Sequence, residues 1–244
     1  MTVRHADWTE TLAACPDGSV DMVLCDLPYG TTQNKWDSVI DLAAWWPEIR
    51  RVTKPTAAVV LFAQCPFDKV LGASNLRDLR YEWIWRKERG TGHLNAKVAP
   101  MKSHENVMVF YREQPTYQPQ MRVGEPYTIA KSHHGTNYGK DSKADIVTVS
   151  DGARYPLSVL DFPRDSDKDH PTQKPVDLCR YLIRTYTRPD EVVLDPTCGS
   201  GTTAVAAVME QRKFIAGDSD PRWAKHAADR VREAQSQGHL FAAR

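Results

Sequence analysis

Apolar positions cluster in short runs rich in β-branched residues at 20–25, 57–63, 81–85, 106–111, 191–194 and 213–216. Runs of that length between turn-forming residues predict buried β-strands. Stretches with helical spacing of apolar residues lie between several of them, at 40–52, 66–73, 176–186, 202–211 and 221–235. Strands alternating with helices predict an α/β fold, a doubly wound and mostly parallel sheet covered on both faces. From about 112 to about 169 both periods vanish under prolines, glycines, histidines and polar residues. A structureless loop of that length is foreign to a compact fold, so the segment reads as an inserted lobe. Residues 237–244 read as a frayed tail.

Composition narrows the class without naming a function. At 244 residues and 41% hydrophobic the chain can bury a proper core. Apolar runs stop well short of the ~18 residues of a membrane span. The opening MTVRHADWTE lacks the basic end and apolar run of a signal peptide, so a soluble, cytoplasmic protein is expected. A net charge of +1 gives no global pull toward nucleic acid, which leaves any such binding to local charge. Cys15, Cys25, Cys65, Cys179 and Cys198 are scattered singly, as reduced thiols rather than zinc ligands or disulfides. The His133–His134 pair has no partner ligands at zinc spacing, and no metal is expected.

Two strand ends carry candidate chemistry. In the first, the 191–194 run leads into Asp195, Pro196, Thr197, Cys198, Gly199, Ser200, Gly201 and Thr202, and then a helix. A small-residue turn lets backbone amides and a helix N-terminus approach a ligand, and open α/β sheets bind ligands at the carboxyl ends of their strands. A bare G-x-G is as often an ordinary tight turn, and the third glycine of a dinucleotide fingerprint is missing. The next strand ends in Gly217-Asp218, where an acidic side chain can accept hydrogen bonds from both hydroxyls of an adenosine-type ribose. Asp220 reads as a cap for the following helix.

The second is Asp26-Leu27-Pro28-Tyr29-Gly30, directly after the 20–25 run. One carboxylate, Asp26, and one adjacent carbonyl, that of Leu27, can hold the two hydrogens of an amine that is to be methylated. Pro28 stiffens the turn, and the Tyr29 ring offers a stacking surface for an extruded base. By composition alone these residues also make a routine surface turn.

Asp26-Leu27-Pro28-Tyr29 resembles the catalytic D-P-P-Y motif of amino-methyltransferases that act on DNA. The segment 195–202 resembles their D-P-F-x-G-S-G-T cofactor motif, and His170-Pro171-Thr172-Gln173-Lys174-Pro175 resembles the segment preceding it. Catalytic motif first and cofactor motif last is the order of the permuted β group. This resemblance implies a seven-stranded, Rossmann-like, circularly permuted methyltransferase domain with S-adenosyl-L-methionine as cofactor. It divides the chain into a catalytic half (1–111), a target-recognition region (112–169), a cofactor half (170–236) and a tail (237–244). The cofactor set becomes Asp7, 195–202, Asp218 and Lys174, with Asp7 toward the adenine ring. Trp83–Lys87 and Ser103-His104-Glu105 also match family positions, in structural or catalytic roles. One departure is Leu27, where the family usually has proline.

Aspartate at the first motif position favours adenine N6 over cytosine N4, which more often carries serine. The resemblance therefore implies a site-specific adenine-N6 methyltransferase acting on double-stranded DNA by base flipping. The alternatives are a cytosine-N4 enzyme, an RNA or protein amine methyltransferase, and a non-catalytic DNA-binding protein. Arg86, Lys87, Arg89, Lys97 and Lys102 face a single acid, Glu88, in a glycine-containing stretch, which suits a flexible loop that neutralises phosphates. Base-edge readers in the inserted region include Tyr117, Tyr127, Asn137 and Tyr138. A homodimer and a companion restriction endonuclease are further candidate partners at the family level.

Overall fold

The computed structural model describes residues 2–29, 40–131, 146–165 and 173–242. Its elements run β1 (Val3–His5), α1 (Trp8–Ala13), β2 (Val20–Asp26), α2 (Leu42–Val52), β3 (Thr53–Ala63), α3 (Phe67–Ser74), β4 (Leu79–Thr91) and β5 (Lys102–Phe110). There follow β6 (Arg122–Val123), β7 (Tyr127–Lys131), β8 (Ile146–Ser150), β9 (Ala153–Arg154), β10 (Val159–Asp161), α4 (Val176–Tyr186), β11 (Val192–Asp195), α5 (Thr202–Met209), β12 (Lys213–Asp218) and α6 (Pro221–Ala242).

One eight-stranded sheet has the order β1-β12-β11-β2-β3-β5-β4-β10. Only β5 runs against its neighbours, pairing antiparallel with β3 and β4; every other pairing in the sheet is parallel. Side chains of adjacent residues point to opposite faces, and the core divides accordingly. Met22, Leu24, Val60 and Phe62 pack with residues of α4, α5 and α6, whereas Val23, Cys25, Val59 and Leu61 pack with residues of α1, α2 and α3. Continuous apolar runs in β2 and β3 are what a sheet buried on both faces requires.

The carboxyl ends of β1, β12, β11, β2 and β3 therefore share one edge. Connections leave β11 and β2 for opposite faces, through α5 and α2, which opens a crevice between these two strands, the position at which such sheets bind ligands.

Three differences from the sequence expectation stand out. The sheet has eight strands where seven were implied, because the three-residue β10 adds to β4 beyond the reach of any periodicity. The separate unit spans residues 119–157, narrower than 112–169, with β6 paired to β9 and β7 paired to β8. Arg112 instead bonds the Thr53 carbonyl at 2.8 Å, and the Gln118 amide donates to the Thr185 carbonyl at 2.8 Å, tying that flank to the main unit. Finally, α6 runs to Ala242, past the expected start of a tail at 237. Among the described residues no helix is long and apolar enough to cross a membrane.

Candidate active site

Asp26 is the last residue of β2, so the strand itself delivers its carboxylate to the crevice edge. Both oxygens are engaged: the Tyr29 hydroxyl donates to Oδ1 and the Lys174 ammonium to Oδ2. The turn between them is anchored by Leu27, whose side chain is 2% exposed and packs in the same core cluster as Trp45, Phe67 and Leu71. Burial of an apolar side chain thus stands in for the stiffness of the proline that usually follows the aspartate. The Tyr29 ring stacks on Phe67 at 5.1 Å and 29°, which sets an aromatic wall beside the carboxylate.

Lys174 lies one residue ahead of Pro175, the N-cap of α4. Its ammonium also approaches Glu105 Oε2 at 3.5 Å and the Phe62 ring centroid at 5.3 Å. Glu105, on β5, is bonded in turn by Lys87 of β4 at 2.5 Å. Burial pushes the Asp26 carboxyl above the ordinary aspartate range, Lys174 pulls it down, and Glu105 adds to the rise. Burial works against charge on Lys174, yet Asp26 and Glu105 outweigh it and hold the ammonium above the usual lysine value.

The second strand end is one strand away. Asp195 closes β11, is 4% exposed and accepts from the Thr197 amide at 3.3 Å. Among the described residues no cation pairs with it, and burial pushes its carboxyl up to about 7 against the Thr203 hydroxyl and the Thr197 amide. The Thr197 hydroxyl donates to the Asp26 carbonyl at 3.3 Å, stitching the two turns together. Gly199, at φ +50°, donates its amide to Asp218 at 2.8 Å, so the turn folds onto the end of β12.

The two glycines of that turn do different work. A Cβ on Gly199 would meet nothing within 4 Å, leaving that backbone open to a ligand. A Cβ on Gly201, at φ +79°, would lie 2.6 Å from Ala227 Cβ, so this glycine lets α6 pack on the turn. Ser200 and Thr202 are buried, with the Ser200 carbonyl accepting from Arg230 at 2.7 Å. Asp7 sits at the same edge, where the next-door Ala6 amide reaches the Asp218 carbonyl at 3.0 Å. Its carboxylate caps α1, and bonds from Thr9 and the Glu10 amide hold it below the ordinary range. Asp220 caps α6, accepting the Arg222 amide at 2.8 Å.

The residues thus gather in one crevice, with regrouping. Lys174, placed by sequence with the cofactor set, stands on the Asp26 carboxylate. Lys87, expected on the phosphate-binding surface, is turned inward with a side chain 10% exposed and its charge spent on Glu105, which corrects that expectation. The expected loop is partly strand: β4 continues to Thr91 and β5 begins at Lys102, paired at Arg86↔His104 and, after a register shift, at Thr91↔Lys102, with the turn between them at 92–101. On it Arg89 and Lys97 are exposed, Arg86 pairs with Asp161, and Lys102 approaches the Cys65 carbonyl at 3.5 Å.

Tyr117 packs near Tyr186 in the main unit, Tyr127 lies under Arg154 in the separate one, and Asn137, Tyr138, His133 and His134 fall outside the described residues, as do His170, Pro171 and Thr172. Phe67 was not singled out by the sequence, and Glu105 only as a family position of structural or catalytic role. A lone carboxylate heading the apolar run 106–110 was the available signal for Glu105. Trp83 and Trp85 are buried, donating to the Tyr186 hydroxyl and the Phe162 carbonyl. Among the described residues no group of three or more His, Cys, Asp or Glu is placed to hold a metal.

The family model described as DNA methylase, of the N6/N4 type, matches residues 20–229, from the start of β2 into α6. The chain belongs to this family. It is 26% identical over 242 residues to the type II methyltransferase M.BglII of Bacillus subtilis, covering 91% of this chain and 66% of that protein, just under two thirds. It is 25% identical over 248 residues to the DNA adenine methyltransferase YhdJ of Escherichia coli K12, covering 94% of this chain and 82% of that one. Among solved structures, the M1.HpyAVI–SAM complex superposes with a TM-score of 0.63 at 22% identity, covering 94% of this chain and 98% of that one. The cytosine-N4-specific PvuII DNA methyltransferase does so at 0.65 and 15% identity, covering 97% and 93%. Both structural likenesses are of fold.

Proposed function

We propose that this protein transfers a methyl group from S-adenosylmethionine to the exocyclic N6 amine of adenine in double-stranded DNA, acting on a base turned out of the helix. The observation that carries the reading is the Asp26 carboxylate at the strand end, flanked by the Tyr29–Phe67 stack and one strand away from the Asp195–Thr202 turn. It supplies an acceptor and a flat apolar wall where an amino-bearing base needs both.

The residues present fit the cofactor. Gly199 leaves an open cradle, and Asp218 at the neighbouring strand end offers carboxylate oxygens suited to ribose hydroxyls. Residues 195–202, Asp218 and Asp7 would hold it, and when bound it supplies an electrophilic methyl group. Asp26 and the Leu27 carbonyl take the two amine hydrogens, which leaves the nitrogen lone pair free and aimed. Catalysis by these groups is alignment and charge placement. Asp26 need not be a strong base, since the amine loses its proton readily once methylated. Arg89 and Lys97, in the 86–102 stretch, serve as phosphate contacts.

Adenine is favoured by aspartate at the head of the motif and by the name of the Escherichia coli relative. Cytosine N4 is the second reading, favoured by the likeness to the PvuII enzyme. A companion restriction endonuclease accords with the type II designation of M.BglII. The deciding experiment incubates the protein with methyl-labelled cofactor and unmethylated genomic DNA and identifies the labelled nucleoside. N6-methyladenine is expected; N4-methylcytosine transfers the proposal to the second reading, and unlabelled DNA with intact cofactor binding rejects both.

A further inference from the structure

Asp26 is useful to an amine only as an acceptor, and its surroundings work against that. Burial and the nearby Glu105 both favour the protonated acid, which would present a donor instead. Lys174 is the cation in direct contact with it. Around that contact the side chains alternate in charge: Lys87, Glu105, Lys174 and Asp26, with the Tyr29 hydroxyl at the end. The four charged side chains sum to zero and are 10%, 11%, 8% and 28% exposed, the most open being Asp26.

They come from four different segments, namely β4, β5, the lead into α4, and β2. Each has a fixed seat. Lys87 Nζ lies 5.0 Å from the Trp85 ring and Lys174 Nζ 5.3 Å from that of Phe62. Asp165 holds the lead into α4 by accepting from the Gln173 side chain at 3.1 Å and the Val176 amide at 3.3 Å. One lysine between two carboxylates would leave a buried net negative charge; Lys87 cancels it and keeps Glu105 from drawing Lys174 away.

Resting on the reading of Asp26 given above, we propose that Lys174, braced by Glu105 and Lys87, is a positioning residue that keeps Asp26 a hydrogen-bond acceptor at working pH. Among the described residues, the other groups facing Asp26 do not supply this. Tyr29 offers a neutral hydroxyl, Thr197 bonds only the backbone carbonyl, Cys25 is a thiol that burial keeps protonated, and Asp195 brings no positive charge.

Two readouts test it in the full chain, the pH profile of kcat/KM for DNA and the titration of the Asp26 carboxyl itself, read by infrared difference against Asp26→Asn. Loss of the cation raises the pH at which Asp26 ionises. Lys174→Gln is therefore expected to move both the acid limb and the carboxyl titration upward by at least ~1 pH unit, a tenfold loss of rate per unit below the limb. Activity should recover at high pH, with cofactor binding unchanged. Lys174→Arg should restore the wild-type profile. The double variant Lys174→Gln/Glu105→Gln removes one charge of each sign, guards against misfolding, and should shift less than the single change.

An Asp26 carboxyl that titrates in Lys174→Gln and in the double variant as it does in the wild type overturns the inference, as does a rate loss equal at every pH. Failure of the underlying reading looks different. Full methylation by Asp26→Asn would remove Asp26 from the reaction, and Lys174 with it, whatever the carboxyl titration shows.

Discussion

Two neighbouring strands, β2 and β11, each end on an aspartate followed by a proline-containing turn, and what faces each aspartate separates them. Asp26 meets a lysine and a tyrosine hydroxyl and remains 28% exposed on its side chain. Asp195 meets a threonine hydroxyl and a backbone amide and is sealed at 4%. A compensated, half-open carboxylate can offer an oxygen to an incoming group. A sealed one without a paired cation among the described residues acts through the shape of its own turn, and burial leaves it as readily protonated as ionised near neutral pH. On the proposed reading, similar motifs at adjacent strand ends then serve different ends, one meeting the substrate amine and the other shaping the cofactor turn.

The largest break in this comparison is expected at Asp26. Asp26→Asn should lower kcat/KM for methyl transfer by about 10³-fold while cofactor affinity, measured by calorimetry, changes little. Equal loss in both would make Asp26 a loop-shaping residue like Asp195.

Asp195→Asn probes the other side, through stability rather than rate. A folded-state pKa raised to about 7 from the ordinary 3.8 means the native protein holds the proton more tightly than the unfolded chain. That stabilisation is full below pH 3.8 and is lost as pH rises through about 7. Relative to wild type, Asp195→Asn should therefore gain stability progressively across this window, by about 4 kcal/mol at most, in denaturant melts at a series of pH values. A pH-independent difference would contradict an uncompensated Asp195.

Gly201→Ala probes the same turn. Its Cβ would lie 2.6 Å from Ala227 Cβ at a backbone φ of +79°, and a loss of ~3 kcal/mol is expected in the same melts. At Gly199, with open space, the same change should cost ~1 kcal/mol, its main effect falling on cofactor affinity. Asp218→Ala should weaken cofactor binding ~10-fold, about 1.4 kcal/mol, with kcat at saturation nearly unchanged.

Much of the frame was legible in the residues. The runs at 20–25, 57–63 and 213–216 are apolar without a break because both faces of those strands are covered, and the turns at 26–29 and 195–202 are short-range patterns carried by adjacent residues. Less legible were α1, only six residues long, and β10, only three, since neither spans enough chain to show a period. The stretch 86–102 misled because its glycines and lysines read as a loose basic loop, although β4 continues to Thr91 and Lys87 within it bonds the Glu105 carboxylate.

Sequence alone determined the α/β class, the two strand-end turns, and Asp26, Tyr29, Gly199 and Asp218 as the residues of interest, because those features depend on neighbours within a few positions. Only the tertiary structure decided which of the charged residues share a site. Asp26 and Lys174 stand 148 positions apart, and Lys87 and Glu105 are 18 apart across a hairpin. Their pairing follows from the burial they share: with little water left to solvate them, charges of opposite sign from distant segments are held where each is the other's main source of stabilisation.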